Sequence, residues 1–76
     1  MNKYIYILFS TDEHHSKNSY NLIGAFDEKQ KAIKASNEFD GYNLTETDLD
    51  NLNKINQTQG LEINYVIQKI EINQIN

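Results

Sequence analysis

Residues 3 to 9, KYIYILF, are apolar at both alternating sets of positions, which predicts a strand covered on both faces or central in a small sheet. The next ten residues, Ser10 to Ser19, are polar throughout and rich in turn formers, and predict an exposed hairpin loop. YNLIGAF, from Tyr20 to Phe26, predicts a second strand with Tyr20, Leu22 and Phe26 on one face. Gly24 marks a place for a bulge or for close packing. Asp27 is placed as a helix N-cap, with Gln30 three residues on and Glu28 at the positive end of the helix dipole. The helix that follows has Ala32, Ile33, Ala35 and Phe39 as its apolar face, and Lys29, Lys31 and Lys34 toward water. Gly41 is placed to end it.

A second, narrower amphipathic stripe, Leu49, Leu52 and Ile55, predicts a short helix capped by Thr45 or Thr47. After the turn residues Gln57 to Gly60, Leu61, Ile63, Tyr65 and Ile67 share one strand parity, but the apolar phase then shifts to Ile70 and Ile72. That shift predicts a bulge or break near Gln68. The expected fold class is α+β, in the order ββααβ: a small antiparallel sheet of about three strands, with one main helix and one short acidic helix on one face. Both parities of the first strand are apolar, so a second layer or a partner chain is expected to cover the other face, and a homodimer is one way to do so.

Composition narrows the functional classes. A chain of 76 residues has room for one domain, residues 1–76, and buries only about 60% of its unfolded surface, which disfavours a deep catalytic cleft. There is no cysteine, so neither disulfides nor thiolate metal sites are available. The apolar run from Tyr4 to Phe9 is far shorter than the ~20 residues of a membrane span, no lipidation signal is present, and the expected location is the cytoplasm of a bacterial host. Seven basic against 11 acidic residues give a net charge of −4, the wrong sign for gripping nucleic acid directly; a protein partner with a basic surface fits better.

Three short segments carry a resemblance: Tyr4-Ile5-Tyr6-Ile7-Leu8, Leu22-Ile23-Gly24-Ala25-Phe26 and Lys31-Ala32. In these, over about the first half of the chain, and in the final strand from Tyr65 to Ile72, the sequence resembles a family of short uncharacterised phage and bacterial proteins with a strand-strand-helix-strand layout. The connection from helix to last strand departs from that pattern, because it lacks the expected proline and carries the acidic helix instead. The resemblance implies the fold and a phage-like origin, and it transfers no catalytic residue.

His14 and His15, beside Asp12 and Glu13, have the donor chemistry of a zinc, nickel or copper site, but adjacent loop side chains seldom reach one ion and no third ligand follows by spacing. An ordinary exposed loop is the plainer reading, and no metal or other cofactor is expected. No nucleophile motif surrounds these histidines and no glycine-rich phosphate loop exists, so an enzyme is not expected. Tyr4, Tyr6, Tyr20 and Tyr65 fall on strands, where tyrosines serve as half-buried core or as interface anchors; base stacking is opposed by the charge. Glu38, Asp40, Glu46, Asp48 and Asp50 lie in a stretch with no Lys or Arg between Lys34 and Lys54. Such a stretch complements a basic partner or is simply a solvated helix face. The function expected from these features is a small acidic protein-binding module of a phage or mobile element. It would contact its partner through those five acids together with Tyr4, Tyr6 and Tyr65, as an inhibitor of a host nucleic-acid-handling or CRISPR-type defence system. The alternative is a structural or regulatory homo-oligomer.

Overall fold

A computed structural model describes residues 4–72; Lys3, the first position of the expected opening strand, lies outside them. The order is β1 (Tyr4–Asp12), β2 (Asn21–Phe26), α1 (Lys29–Phe39), α2 (Glu46–Ile55) and β3 (Ile63–Glu71), with a 3-10 turn at Lys17–Ser19. This is the α+β, ββααβ layout read from the sequence. The sheet is antiparallel in the order β2-β1-β3, so the most apolar strand is the central one. Both helices pack on one side, where Leu8, Tyr65 and Ile67 of the sheet join Ala32, Ile33, Leu44 and Leu52 in the core.

β1 continues into the segment expected to be loop, because Ser10 and Thr11 pair with Tyr65 and Asn64 of β3 and are buried. Polar character alone hid this: the Thr11 and Ser19 hydroxyls lie 2.6 Å apart and satisfy each other. The β1/β3 ladder runs unbroken from Tyr4↔Glu71 to Asp12↔Ile63, with Gln68 opposite Ile7, so no bulge occurs near Gln68. The apolar phase shift there is a change of face within a regular strand: Ile67 points to the helices and Ile70 to the other side. The irregularity falls instead in β2, where Leu8 pairs with Gly24 but Phe9 pairs with Leu22. Ile23 is the extra residue, and it packs against the core. Consequently Leu22 and Phe26, expected to share a face, are on opposite ones.

Helix ends follow local chemistry. Glu28, not Asp27, is the N-cap of α1, and neither caps with its side chain; the Asp27 carboxylate holds Lys31 at 2.9 Å instead. At the other end Gly41 has φ of +72°, its N–H donates to the Glu38 carbonyl and that of Tyr42 to the Asn37 carbonyl, a Schellman motif. α2 opens on a full capping box: the Asp48 N–H donates to Thr45 Oγ1 at 3.1 Å, and the Thr45 N–H to Asp48 Oδ2 at 3.0 Å. Of the expected stripe Leu52 is buried, Leu49 is half-buried, and Ile55 is about half exposed. Phe39 is likewise exposed beyond half its surface, touching Tyr65 only edge-on.

After α2, residues 56–58 lie along the outer edge of β3. The Ile67 N–H donates to the Asn56 carbonyl at 2.7 Å and the Thr58 N–H to the Tyr65 carbonyl at 2.9 Å. Asn64, fully buried, locks this corner. Its amide donates to the Asp12 and Leu61 carbonyls, and its Oδ1 accepts from Thr58 Oγ1 and the Leu61 N–H. No helix among the described residues is long and apolar enough to cross a membrane.

Candidate functional site

The acidic stretch separates into different roles once folded. Asp48 is buried in its capping box. Asp40, at the C-terminal end of α1, accepts a 2.6 Å hydrogen bond from the Tyr65 hydroxyl. Asp50 is paired with Lys54 at 3.1 Å, and of these five acids Glu38 and Glu46 are the exposed ones without such a partner among the described ion pairs. The five carboxylates are therefore not one surface: two serve the internal architecture. Glu46 and Asp50, one helical turn apart, line a cleft of about 550 Å³ between the helices, together with Ile33, Leu49, Gln30 and Asn53.

The tyrosines divide as well. Tyr65 is 1% exposed; it is a core residue, and burial with the neighbouring Asp40 carboxylate pushes its phenol above its ordinary value. Tyr6 is half-buried against the core, and Tyr4 is exposed with the Lys69 ammonium 4.0 Å from its ring centroid. Tyr20 packs edge-on against Phe9, with ring centroids 5.8 Å apart.

The histidines point to different neighbours. The His14 Nε2 lies 3.3 Å from Glu13, out in solvent, whereas the His15 Nε2 lies 3.1 Å from the Thr58 carbonyl and ties the β1–β2 loop to the segment beside β3. Their separation follows from His15, whose φ of 54° turns the chain. Among the described residues no three His, Asp or Glu side chains gather in a way that holds a metal ion.

The feature that stands apart is the side of the sheet away from the helices. The register places Ile5 beside Ile70, Ile7 between Ala25 and Gln68, and Phe9 between Leu22 and Val66 on this side. A solvent-facing antiparallel sheet ordinarily carries polar and charged residues outward. Here the arrangement is reversed: the charged residues of the three strands, Asp12, Lys69 and Glu71, all register on the helix side. Leu22 is 68% exposed, Ile70 is exposed, and Ile5, Ile7, Phe9 and Val66 are half-buried, so the row is open from Leu22 to Ile70; Thr11 and Asn64, at one end of the same side, are buried. In the sequence the signal for this face was the double apolar parity of β1; the register that adds Leu22 was concealed by the bulge at Ile23. Compared with protein-family models, curated proteins and solved structures, the chain matches none.

Proposed function

We propose that the protein is a non-enzymatic binding module that docks a protein partner through the open face of its sheet. The observation that supports this is the uncharged row formed by Ile5, Ile7, Phe9, Leu22, Val66 and Ile70 in a chain that keeps its strand charges on the other side. Contiguous exposed apolar surface on a small protein marks an interaction site, and neighbouring aromatic side chains such as Phe9 and Tyr20 are the kind that anchor one.

A second reading keeps the acidic helix. Glu46 and Asp50 beside the apolar Leu49 and Ile33 suit the aliphatic stem and charged head of a partner's lysine or arginine. That favours a basic protein, of which a host nucleic-acid-handling enzyme is an example. One experiment ranks the two. The tagged chain is used to capture proteins from a bacterial lysate in three forms: native, Leu22→Lys with Ala25→Lys, and Glu46→Lys with Asp50→Lys. Loss of a captured protein only with the sheet substitutions is the expected result; loss only with the helix substitutions would transfer the function to the acidic cleft.

A further inference from the structure

We infer that the occupant of the open sheet face is a second copy of this chain, the two sheets packing face to face about a two-fold axis. This rests on the reading of that face as a docking surface. Charge is the first argument. Two copies of a molecule with 11 acidic and seven basic residues repel each other over most of their surface. Across the open face they meet with no like charge to bury, because every registered residue on it is neutral.

Shape is the second. An isologous interface must fit its own copy. One end of the face carries the edge-on Phe9–Tyr20 pair, an aromatic block with Phe9 half-buried and Tyr20 exposed. At the other end Ile5 and Ala25 of this face border a hollow of about 560 Å³ that continues round the end of the sheet to Tyr4, Phe26 and Ile72. Both reach the β2 half of the sheet, the pair through Tyr20, which directly precedes β2, and the hollow through Ala25. A two-fold axis crossing β1 at right angles near Ile7 keeps β2 over its counterpart and exchanges the ends. The aromatic block of each copy then seats in the hollow of the other, with Tyr20 brought toward Asp27 on its rim.

Area sets the strength. At about 3.3 Å per residue and 4.8 Å between strands, the nine residues of β1 and its two neighbours present roughly 30 by 14 Å, or ~400 Å² in plan. Stable complexes use about 800 Å² per partner, so this dimer is weak and depends on concentration.

The test is sedimentation velocity of the full chain from roughly 10 µM to 1 mM, the range in which a small interface populates. The native chain is expected to shift from monomer to dimer, and Leu22→Lys and Ala25→Lys, each at an exposed position, to remain monomeric with unchanged circular dichroism. Glu38→Gln makes the same change in net charge on the helix layer and is expected to dimerise as the native chain does. If Leu22→Lys loses its fold, Ala25→Lys alone decides. A native chain that stays monomeric to the top of the range overturns the proposal, as does a dimer that survives both lysines. Should the native chain be monomeric while lysate capture still fails with the sheet substitutions, the face docks a different protein; if capture is also insensitive, the docking reading falls with it.

Discussion

Leu8 and Ile7 are neighbours in the central strand, nearly equal in volume and chemistry, yet they face opposite worlds. Leu8 is fully buried between Gly24 and Ile67 under the helices, whereas Ile7 lies half-buried between Ala25 and Gln68 on the side that no helix of the described chain covers. The strand's two apolar rows thus have different uses. One is already spent on folding, and the other is held back for contact. Truncating each residue in turn breaks or sharpens that distinction. Leu8→Ala removes fully packed methyl groups and leaves a cavity, and is expected to cost about 3 kcal/mol in urea-induced unfolding. Ile7→Ala, losing side-chain surface that is only half-buried, is expected to cost about 1 kcal/mol in dilute solution. Equal losses at micromolar protein would mean that the second face is covered within the monomer, and the contrast would collapse.

The next largest effect concerns polar burial at the end of the sheet. Asn64 satisfies two carbonyls, one hydroxyl and one backbone N–H, and no buried side-chain polar atom among the described residues lacks a partner. Asn64→Ala strands those groups away from water and is expected to cost about 2 kcal/mol, read by thermal unfolding. Hydrogen exchange at the Thr58 amide, which the Tyr65 carbonyl accepts, is expected to rise more than at Leu8 in the sheet centre. Uniform acceleration would show that Asn64 supports the whole fold, not its corner.

Tyr65→Phe comes third, at about 1 kcal/mol for the lost hydrogen bond to Asp40. Its pH dependence has a definite sign. The folded-state value of the phenol lies above its ordinary one, so the stabilisation is fully present below pH ~10 and is lost as pH rises beyond that. The native chain is therefore expected to weaken in alkali relative to the phenylalanine variant. Parallel curves above pH ~10 would contradict the buried hydroxyl.

Element order was legible in the sequence because it depends on local periodicity: the alternation in KYIYILF, the Ala32–Ile33 face, and the Leu49–Leu52 spacing each act over a few residues. What periodicity cannot carry is register. The extra residue Ile23 exchanges the faces of Leu22 and Phe26, and only the pairing with β1 reveals it. The candidate site suffered more for the same reason. Asp40 and Tyr65 are 25 residues apart, and nothing local indicates that one accepts a hydrogen bond from the other. Asp48 was closer to legible, since Thr45 followed three residues later by an acid matches a capping box, a reading that competes directly with a charge patch. The open face was half visible: β1 announced it, and the strands that complete it were placed only by the fold.

The smallest expected effect lies at the β1–β2 turn. Asp12 accepts from the backbone N–H groups of His14 and Ser16, both at 3.0 Å, and from the Ser16 hydroxyl. Those hydrogen bonds, that of the Ser16 hydroxyl first, favour the ionised carboxylate and lower its value from 3.8 to about 2. A lowered folded-state value means stabilisation that is present above the ordinary value and is lost as pH falls from about 4 toward about 2. The carboxylate's hydrogen bonds lie at the surface, so water and salt screen the effect and Asp12→Asn is expected to change stability at neutral pH only slightly. The discriminating readout is the slope: between pH 2 and 4 the native chain loses more stability than the asparagine variant at low salt. Because His15 ties this turn to Thr58 beside β3, loosening it is expected to leave Leu8 and Ile7 unchanged while speeding exchange at Ser16 and Ser19. Faster exchange in β1 itself would show that the turn sets the register of the strand, and with it which apolar row faces out.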